Sequence, residues 1–410
     1  MNVFPRCIRR SLFAAILCFL TALPVAGQVA VEGDKIFTMA GAVISNGVVL
    51  IRDGKIEAVG RRSGVSIPPG YKTLQAKVVT PGLIDAHTVV GLSGILNQPQ
   101  DQEQLEKSAP MQPELRALDS YNALDPLVEW IRSFGVTTIH TGHAPGALIS
   151  GQTMILKTSE KNISTNLLNP AAMIACTLGR GALAAEKKSP GTSAKAVAML
   201  RTEFIKAREY SDKLKKAADD KKPPRDLHLE ALVQILDGKI PLLVTVDRHQ
   251  DILAALRVAK EFQIKLVLDG MSDAPLVLDD IKASGFPVLL HPTMARPAAE
   301  AENLSMETAA KLKKAGIPFA LQSGYESYVP KTRVVLFEAA IAAANGLAPE
   351  EALAAITIDA AKILGVADRV GSIEKGKDGD LALYDGDPFE YTSHCIGVVI
   401  SGNVMSGPPH

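Results

Sequence analysis

The sequence is short of cysteine, and the spacing of its few cysteines excludes two classes of protein. It has four cysteines in 410 residues, and two of them, Cys7 and Cys18, lie near the N-terminus. The other two, Cys176 and Cys395, are too few for a disulfide framework and lack the spacing of a metal finger. We expect them to be buried thiols.

The chain also lacks an excess of charge of either sign. Lysine plus arginine total 44, and aspartate plus glutamate also total 44. The chain therefore has no excess of positive charge that would indicate nucleic acid or anionic lipid as a partner. Charged residues make up 21% and hydrophobic residues 47%, which is ordinary for a globular protein. The length is sufficient for one large core or two domains.

Long apolar runs are missing except at the N-terminus. There, Arg6, Arg9 and Arg10 precede an apolar run from Leu12 to Leu23, which the small-residue stretch PVAG follows. This order is typical of a secretory signal peptide, and the run is too short to span a bilayer comfortably. We predict a signal peptide at residues 1–27 and an exported mature chain, periplasmic or extracellular, without a membrane anchor. The RRSLF stretch leaves both the general secretory and the twin-arginine export routes open.

Two β-rich segments flank the long middle of the chain. Residues 35–80 alternate apolar and polar positions, with SNG and RDGK as hairpin signals. The same pattern of short strands and turn signals occurs again after Gly365. Because chain termini often lie close together, we expect these segments to form one small β-sandwich. Its first part is placed at residues 28–80 and its second part at residues 366–410.

The middle of the chain alternates short aliphatic strands with amphipathic helices. The clearest strands are GVTTIHTG (135–142), IPLLVTVD (240–247), IKLVLDG (264–270), FPVLLHP (286–292) and IPFALQSG (317–324). This alternation predicts a parallel sheet, and LIDAHT as a first strand favours a closed eight-stranded α/β barrel at residues 81–365. The third and fourth strands can be placed only loosely, around QTMILKT and AAMIACTLG. The sequence has no glycine-rich phosphate loop, which disfavours a dinucleotide fold.

Several of these segments together resemble the amidohydrolase superfamily. They are VVTPGLIDAHT, GVTTIHTG and the tail EEALAAITIDAAKILGVADRVGSIEKGKDGDLALYDGDP. The likeness covers about residues 35–405 and is strongest to exported, imidazolonepropionase-like members. It implies a (β/α)8 barrel of the TIM type beside a small β-sandwich, and hydrolysis of carbon–nitrogen bonds other than peptide bonds. It also implies one or two divalent metal ions, which lower the pKa of a bound water toward about 7.

The metal site that this resemblance implies is incomplete. The first strand keeps one family histidine, His87, but Val89 stands where the second is expected. The family positions on strands five, six and eight fall at or near Thr245, Asp269 and Gly324. Zinc requires about four donor atoms, so we predict a degenerate site and no metal at full occupancy.

A rebuilt metal site is the alternative, and it would hold zinc or another divalent metal at the barrel mouth, where the strands end. Its candidate ligands are Asp85, His87, His140, His143, Asp247 and Asp269. Each also has a structural interpretation, since aspartate caps helices well and loop histidines are commonly hydrogen-bonded. His291, before Pro292, is expected to be structural.

Two functions stay open at this point, and so does the question of whether the chain is catalytically active. The first is a hydrolase acting on carbon–nitrogen bonds through a rebuilt metal site or metal-free acid–base chemistry. The second is an inactive barrel that binds a small ligand or a partner protein at its mouth. The pocket residues expected for either function are Asp85, Thr245, Asp247, Asp269, Gly324 and Glu326.

Overall fold

The computed structural model of the chain describes residues 27–96, 98–159, 163–183, 188–325 and 334–405. Glu326 and all but the last residue of the predicted signal peptide lie outside these ranges. Within them, no helix combines the length and the apolar character needed to cross a membrane.

The described residues form three sheets and a set of α-helices. The strands are β1 (Val29–Ile36), β2 (Ile44–Arg52), β3 (Lys55–Arg61), β4 (Lys72–Pro81), β5 (Leu83–Thr88), β6 (Val136–Thr141), β7 (Ile149–Gln152), β8 (Met154–Lys157), β9 (Leu167–Asn169), β10 (Ile174–Thr177), β11 (Leu242–Val246), β12 (Leu266–Gly270), β13 (Val288–Leu290), β14 (Phe319–Leu321), β15 (Leu381–Tyr384), β16 (Cys395–Ile400) and β17 (Asn403–Met405). The helices are α1 (Pro126–Arg132), α2 (Ile163–Asn166), α3 (Ser193–Lys216), α4 (Leu227–Leu236), α5 (His249–Phe262), α6 (Leu278–Ser284), α7 (Thr308–Ala315), α8 (Val335–Ala344), α9 (Pro349–Ala355) and α10 (Ile358–Ile363).

Strands from both ends of the chain build one seven-stranded sheet, in the order β17-β16-β15-β4-β1-β2-β3. Strand β15 pairs antiparallel with β4, with Leu383 opposite Val79. The β2–β3 turn contacts the segment before β15, where the Gly379 amide donates to the Gly54 carbonyl at 2.8 Å. Apolar side chains from both chain ends share one buried core on this sheet. The prediction of one small β unit built from both chain ends is confirmed.

The two predicted hairpin signals behave differently. RDGK forms the β2–β3 turn, because Asp53 (φ 51°) and Gly54 (φ 78°) both adopt the left-handed conformation that a tight hairpin needs. SNG does not form a turn. Asn46 has φ 49°, but pairing with β1 resumes at Ser45 and Gly47 on either side of it. The prediction of a hairpin at SNG is therefore wrong, since pairing along the sheet overrides the local turn preference.

The middle of the chain forms the barrel. Strand β5 pairs parallel with β6, and β10 to β14 form a parallel run in chain order. The barrel closes between its first and last strands, where the Gly324 amide donates to the His87 carbonyl at 3.0 Å. Helices α5, α6 and α7 connect successive strands, and α6 ends at Gly285 in the left-handed conformation. The predicted fold class, an α/β barrel with a small β unit, is confirmed.

One barrel position differs from the expected parallel pattern. The third strand consists of β7 and β8 in succession, and it runs antiparallel to β6 on one side and to β10 on the other. The chain passes from β6 to β7 through residues 142–148 without an α-helix. A parallel return needs a crossover of a dozen or more residues, so this short connection reverses the strand. The expectation of a uniformly parallel sheet is wrong at this position.

Apolar side chains fill the barrel interior. One buried cluster takes a residue from each of six strands, namely Ile84, Ile155, Leu243, Val267, Leu289 and Ala320. Helix α10 adds Ala360 and Ala361 to the same cluster. Because the interior is packed, space for a ligand is left at the mouth, at the carboxyl ends of the parallel strands.

A buried lysine joins the barrel to the β unit. Lys157 on β8 is 3% exposed, and its Nζ lies 2.7 Å from Asp378 and 2.8 Å from Asp380. The same ammonium group donates to Ser401 Oγ at 2.8 Å. These three partners belong to the C-terminal β segment, so the barrel and the β unit share one network of charges.

Candidate functional site

A cavity of about 190 Å³ lies at the barrel mouth. Seven residues singled out from the sequence line it, namely His87, Val89, Thr245, Asp247, Asp269, Gly324 and, after β13, His291. They are positioned by the carboxyl ends of β5, β11, β12, β13 and β14 and by the residues that follow each strand. The structure therefore brings these positions together around one space.

Asp269 is the centre of the hydrogen-bond network beside this cavity. Its carboxylate accepts from Gln322 Nε2 and from Thr245 Oγ1, each at 2.5 Å, and lies 3.2 Å from His87 Nδ1. Burial alone would raise the pKa of Asp269, but His87 and the two other donors lower it below the ordinary value. The carboxylate is ionised, and its oxygens are already used by the protein.

His87 is hydrogen-bonded to Asp269 through one of its two ring nitrogens. Because an ionised carboxylate only accepts hydrogen bonds, the Nδ1 atom of His87 carries a proton. Burial would lower the pKa of His87, but the attraction of Asp269 outweighs it and raises that pKa. The other ring nitrogen, Nε2, has no hydrogen-bond partner in the part of the chain that the structure describes.

Two further candidate ligands are bonded to the protein near the cavity. Asp85 accepts from the Ser323 amide at 3.0 Å and from the Ser323 hydroxyl. Burial raises the pKa of Asp85 to about 6, although the Ser323 donors oppose the shift. Asp247 lines the cavity and accepts from the Ser272 amide at 3.2 Å and the Ser272 hydroxyl at 2.6 Å, while burial raises its pKa.

The two histidines of the HTGH stretch do not take part in the cavity. His140 uses both ring nitrogens, which lie 2.7 Å from the Ala86 carbonyl and 2.6 Å from Thr153 Oγ1. Burial lowers the pKa of His140 to about 3. His143 is buried against Gly151, and burial lowers its pKa to about 4. Burial therefore favours the neutral form of both rings, and neither ring lines the cavity.

These residues do not fit a family-type metal centre. Val89 offers no donor atom, Gly324 has no side chain, and Asp269 already accepts from three protein groups. Among the residues described, no three His, Cys, Asp or Glu side chains lie close enough together to hold one metal ion. The rebuilt site suggested by the sequence, with His140 and His143 beside Asp269, is not assembled.

Gly324 has a structural reason to be glycine. Its φ of 67° lies in the left-handed region, and a β-carbon there would stand 2.6 Å from Pro292 Cγ. An aspartate at this position would therefore be strained in its backbone and would collide with its neighbour. The local backbone therefore disfavours any side chain at this position.

Sequence reasoning missed two polar residues of the site. Gln322 donates to Asp269, and Ser272 donates to Asp247. A signal for Gln322 was present, because it lies two residues before Gly324 and strand residues two apart face the same side. Ser272 follows β12 in a loop, and its pairing with Asp247 depends on the distance between two loops, which the sequence does not show.

Comparison with known proteins agrees with the fold. A model of the amidohydrolase family matches residues 294–405. The imidazolonepropionase of Fusobacterium nucleatum is 24% identical over 389 residues, which cover 86% of this chain and 88% of that protein. The amidohydrolase tasK of Hapsidospora irregularis is 26% identical over 407 residues, but this chain spans 40% of its length. The crystal structure of an amidohydrolase from Thermotoga maritima MSB8 superposes with a TM-score of 0.87 at 28% identity, over 93% of this chain and 100% of that one.

The barrel, its mouth and these relatives indicate an amidohydrolase-like class for the protein. Along most of its length the chain resembles members of the amidohydrolase superfamily. Within that superfamily it is imidazolonepropionase-like. The resemblance seen in the sequence motifs is confirmed.

Proposed function

We propose that the barrel mouth binds a small polar molecule without a family-type metal centre, and that metal-dependent hydrolysis has been lost. This proposal is based on the hydrogen bonds of Asp269. The residue at the strand-six position holds His87, Thr245 and Gln322 in place instead of a metal ion. A mouth built in this way keeps a polar pocket but supplies no metal-bound water.

A second candidate function, hydrolysis without a metal, is favoured by the His87–Asp269 pair. An imidazole oriented by a carboxylate at one nitrogen and unpaired at the other is the arrangement of a general acid or base. In this candidate, water adds to a carbonyl carbon and gives a proton to His87 Nε2. His87 then returns the proton to the nitrogen that leaves.

We expect the purified protein to hold less than one equivalent of tightly bound zinc, because the mouth lacks the donors that zinc requires. Elemental analysis after dialysis, on protein purified without a chelating tag, measures this. A His87→Ala variant is expected to fold like the parent, since Asp269 keeps its bonds to Thr245 and Gln322. Stoichiometric zinc that survives dialysis, and that His87→Ala loses together with amide hydrolysis, would overturn the proposal.

A substrate screen separates the two candidate functions. Lactams, cyclic ureides and acyl-amino acids are incubated with the parent and with His87→Ala, each with and without a chelator. Binding without catalysis predicts the same background rate in all four samples. A rate that the chelator leaves unchanged and that His87→Ala abolishes would establish the metal-free hydrolase instead.

We also propose that the chain is exported to the periplasm or the extracellular space, because arginines precede the apolar run from Leu12 to Leu23. Signal peptidases cleave after small residues, so mature protein should begin between about residues 26 and 31. Mass spectrometry of protein recovered from its native host measures the new N-terminus. An intact Met1 in the mature fraction would contradict export.

A further inference from the structure

A second cavity lies between helices of the barrel and the C-terminal β segment. Helix α1, helix α8 and the loop that joins β15 to β16 enclose it, and we call it the outer cavity. Its volume is about 640 Å³, more than three times that of the mouth cavity, and the two cavities share no lining residue. This size lies in the range of pockets that hold small organic molecules.

One face of helix α8 forms a wall of the outer cavity. Leu336 and Ala340 are four residues apart, and so are Phe337 and Ile341, so these side chains lie on the same side of the helix and line the cavity together. Because alanine has no side-chain atom beyond its β-carbon, Ala340 leaves space between these larger neighbours. The cavity is therefore formed by the sequence of this helix.

Aromatic side chains form much of the remaining wall. The rings of Trp130 and Phe134 pack edge to face with 4.9 Å between their centroids, and those of Phe134 and Phe337 do the same at 5.2 Å. Trp130 and Phe337 are nevertheless 45% and 41% exposed, and Tyr391 is fully exposed. Exposed apolar surface gathered in one place is typical of a binding site.

The charge at the edge of the outer cavity is negative. Glu390 is exposed there and has no ion-pair partner among the described residues. His394 also lines the cavity, but it is paired with Asp385, whose carboxylate accepts from the His394 amide at 2.7 Å and lies 3.4 Å from Nδ1. In the part of the chain that the structure describes, no lysine or arginine lines this cavity. A cation would therefore meet an unpaired carboxylate and no competing positive side chain.

We propose that the outer cavity binds an apolar molecule that carries one positively charged amine. The apolar part lies against helix α8 and the aromatic rings, because burial there removes hydrocarbon surface from water. The ammonium group pairs with Glu390 and is attracted to the faces of the neighbouring rings. This inference does not rest on the function proposed for the barrel mouth, since it concerns a different site.

The chain has one tryptophan, Trp130, so tryptophan fluorescence reports on the outer cavity alone. Three compounds with the same phenylbutyl group are compared on the full chain at neutral pH. They are 4-phenylbutylamine, a cation, 4-phenylbutanol, which is neutral, and 4-phenylbutyrate, an anion. We expect the amine to bind about tenfold more tightly than the butyrate, with the alcohol between them, because Glu390 attracts the first and repels the last.

Two variants assign this preference to its residues. Glu390→Gln removes only the charge and should reduce the preference for the amine to about twofold, the part due to the aromatic rings. Glu209→Gln changes another exposed carboxylate, on α3, and is the matched control that should leave the preference unchanged. Ala340→Phe fills the cavity and should weaken the binding of all three compounds by about tenfold or more. If that variant fails to fold, the exposed Glu390 still provides the test.

Three results would overturn the proposal. The first is equal binding of the amine and the butyrate, and the second is a Trp130 emission that no compound changes at its highest soluble concentration. The third is an emission that shifts with protein concentration alone, which would show that a second copy of the chain covers the outer cavity. None of these results concerns the barrel mouth, so the function proposed there succeeds or fails on its own experiments.

Discussion

Replacing Lys157 with methionine should lower the free energy of unfolding by about 3–5 kcal/mol. Methionine keeps much of the side-chain volume but removes the cation beside the buried Asp380, whereas Asp378 keeps its ion pairs with Lys55 and Arg369. Breaking one side of a buried ion pair costs this much because the remaining charge has no solvent to stabilise it. Urea unfolding followed by circular dichroism measures the change.

Lys55→Met is the matched control for this prediction. Lys55 Nζ contacts the same carboxylate, Asp378, at 2.5 Å, but its side chain is 52% exposed. Exposed ion pairs contribute about 0–1 kcal/mol, so this variant should stay within that range of the parent. If the two variants lose the same free energy of unfolding, the prediction is wrong. Burial of Lys157 would then not increase the contribution of its ion pairs to stability.

Replacing Gly324 with aspartate, the residue that the family resemblance expects there, should lower the free energy of unfolding by about 2–5 kcal/mol. One part of the loss is backbone strain at φ 67°, and the other is the collision of the new β-carbon with Pro292. We expect no gain in zinc binding, because Val89 still lacks a donor and Asp269 still holds its three partners. Unfolding and zinc content are measured on the same preparation.

Gly285→Asp separates the two parts of this loss. Gly285 has φ 70°, and a β-carbon there meets nothing within 4 Å, so this variant carries backbone strain without a collision. Its loss should be about 1–2 kcal/mol. A Gly324→Asp protein that is as stable as the parent and binds zinc would show that strand eight still accepts the family's residue.

Local chemistry made much of the fold predictable. The Asp53-Gly54 turn follows from two residues that tolerate a left-handed backbone, and the strand-end position of His87 follows from the alternation in LIDAHT. Asn46 has the same local preference as Asp53, yet pairing with β1 keeps it inside a strand. The reversed direction of the third strand could not be predicted, because the apolar pattern of a strand is the same in either direction. The direction follows from the short connection after β6, which contains no helix.

The site was predictable as a set of positions but not as a network. Thr245 and Asp269 were placed at neighbouring strand ends, and the pairing of β11 with β12 puts them side by side. The hydrogen bonds of Asp269 could not be predicted, because they depend on distances between neighbouring strand ends that the sequence does not show. Its partners are Thr245, His87 and Gln322. His291 was expected to be structural because it precedes Pro292 at a strand end, and its Nδ1 atom does lie 3.0 Å from the Pro292 carbonyl. Its Nε2 atom faces no partner among the described residues, which the sequence could not show.

The position of β15 between β4 and β16 has a consequence for how the chain folds during synthesis. Strand β4 exposes an unpaired backbone edge until the last part of the chain leaves the ribosome, and such edges invite pairing with other chains. Other contacts that complete the fold are equally distant in sequence: Asp85 and Ser323 are 238 residues apart, and Lys157 and Asp380 are 223 apart. Contacts of this separation form slowly because a long loop must close first. The nascent chain therefore depends on protection of the β4 edge for most of its synthesis, and aggregation during expression should begin there.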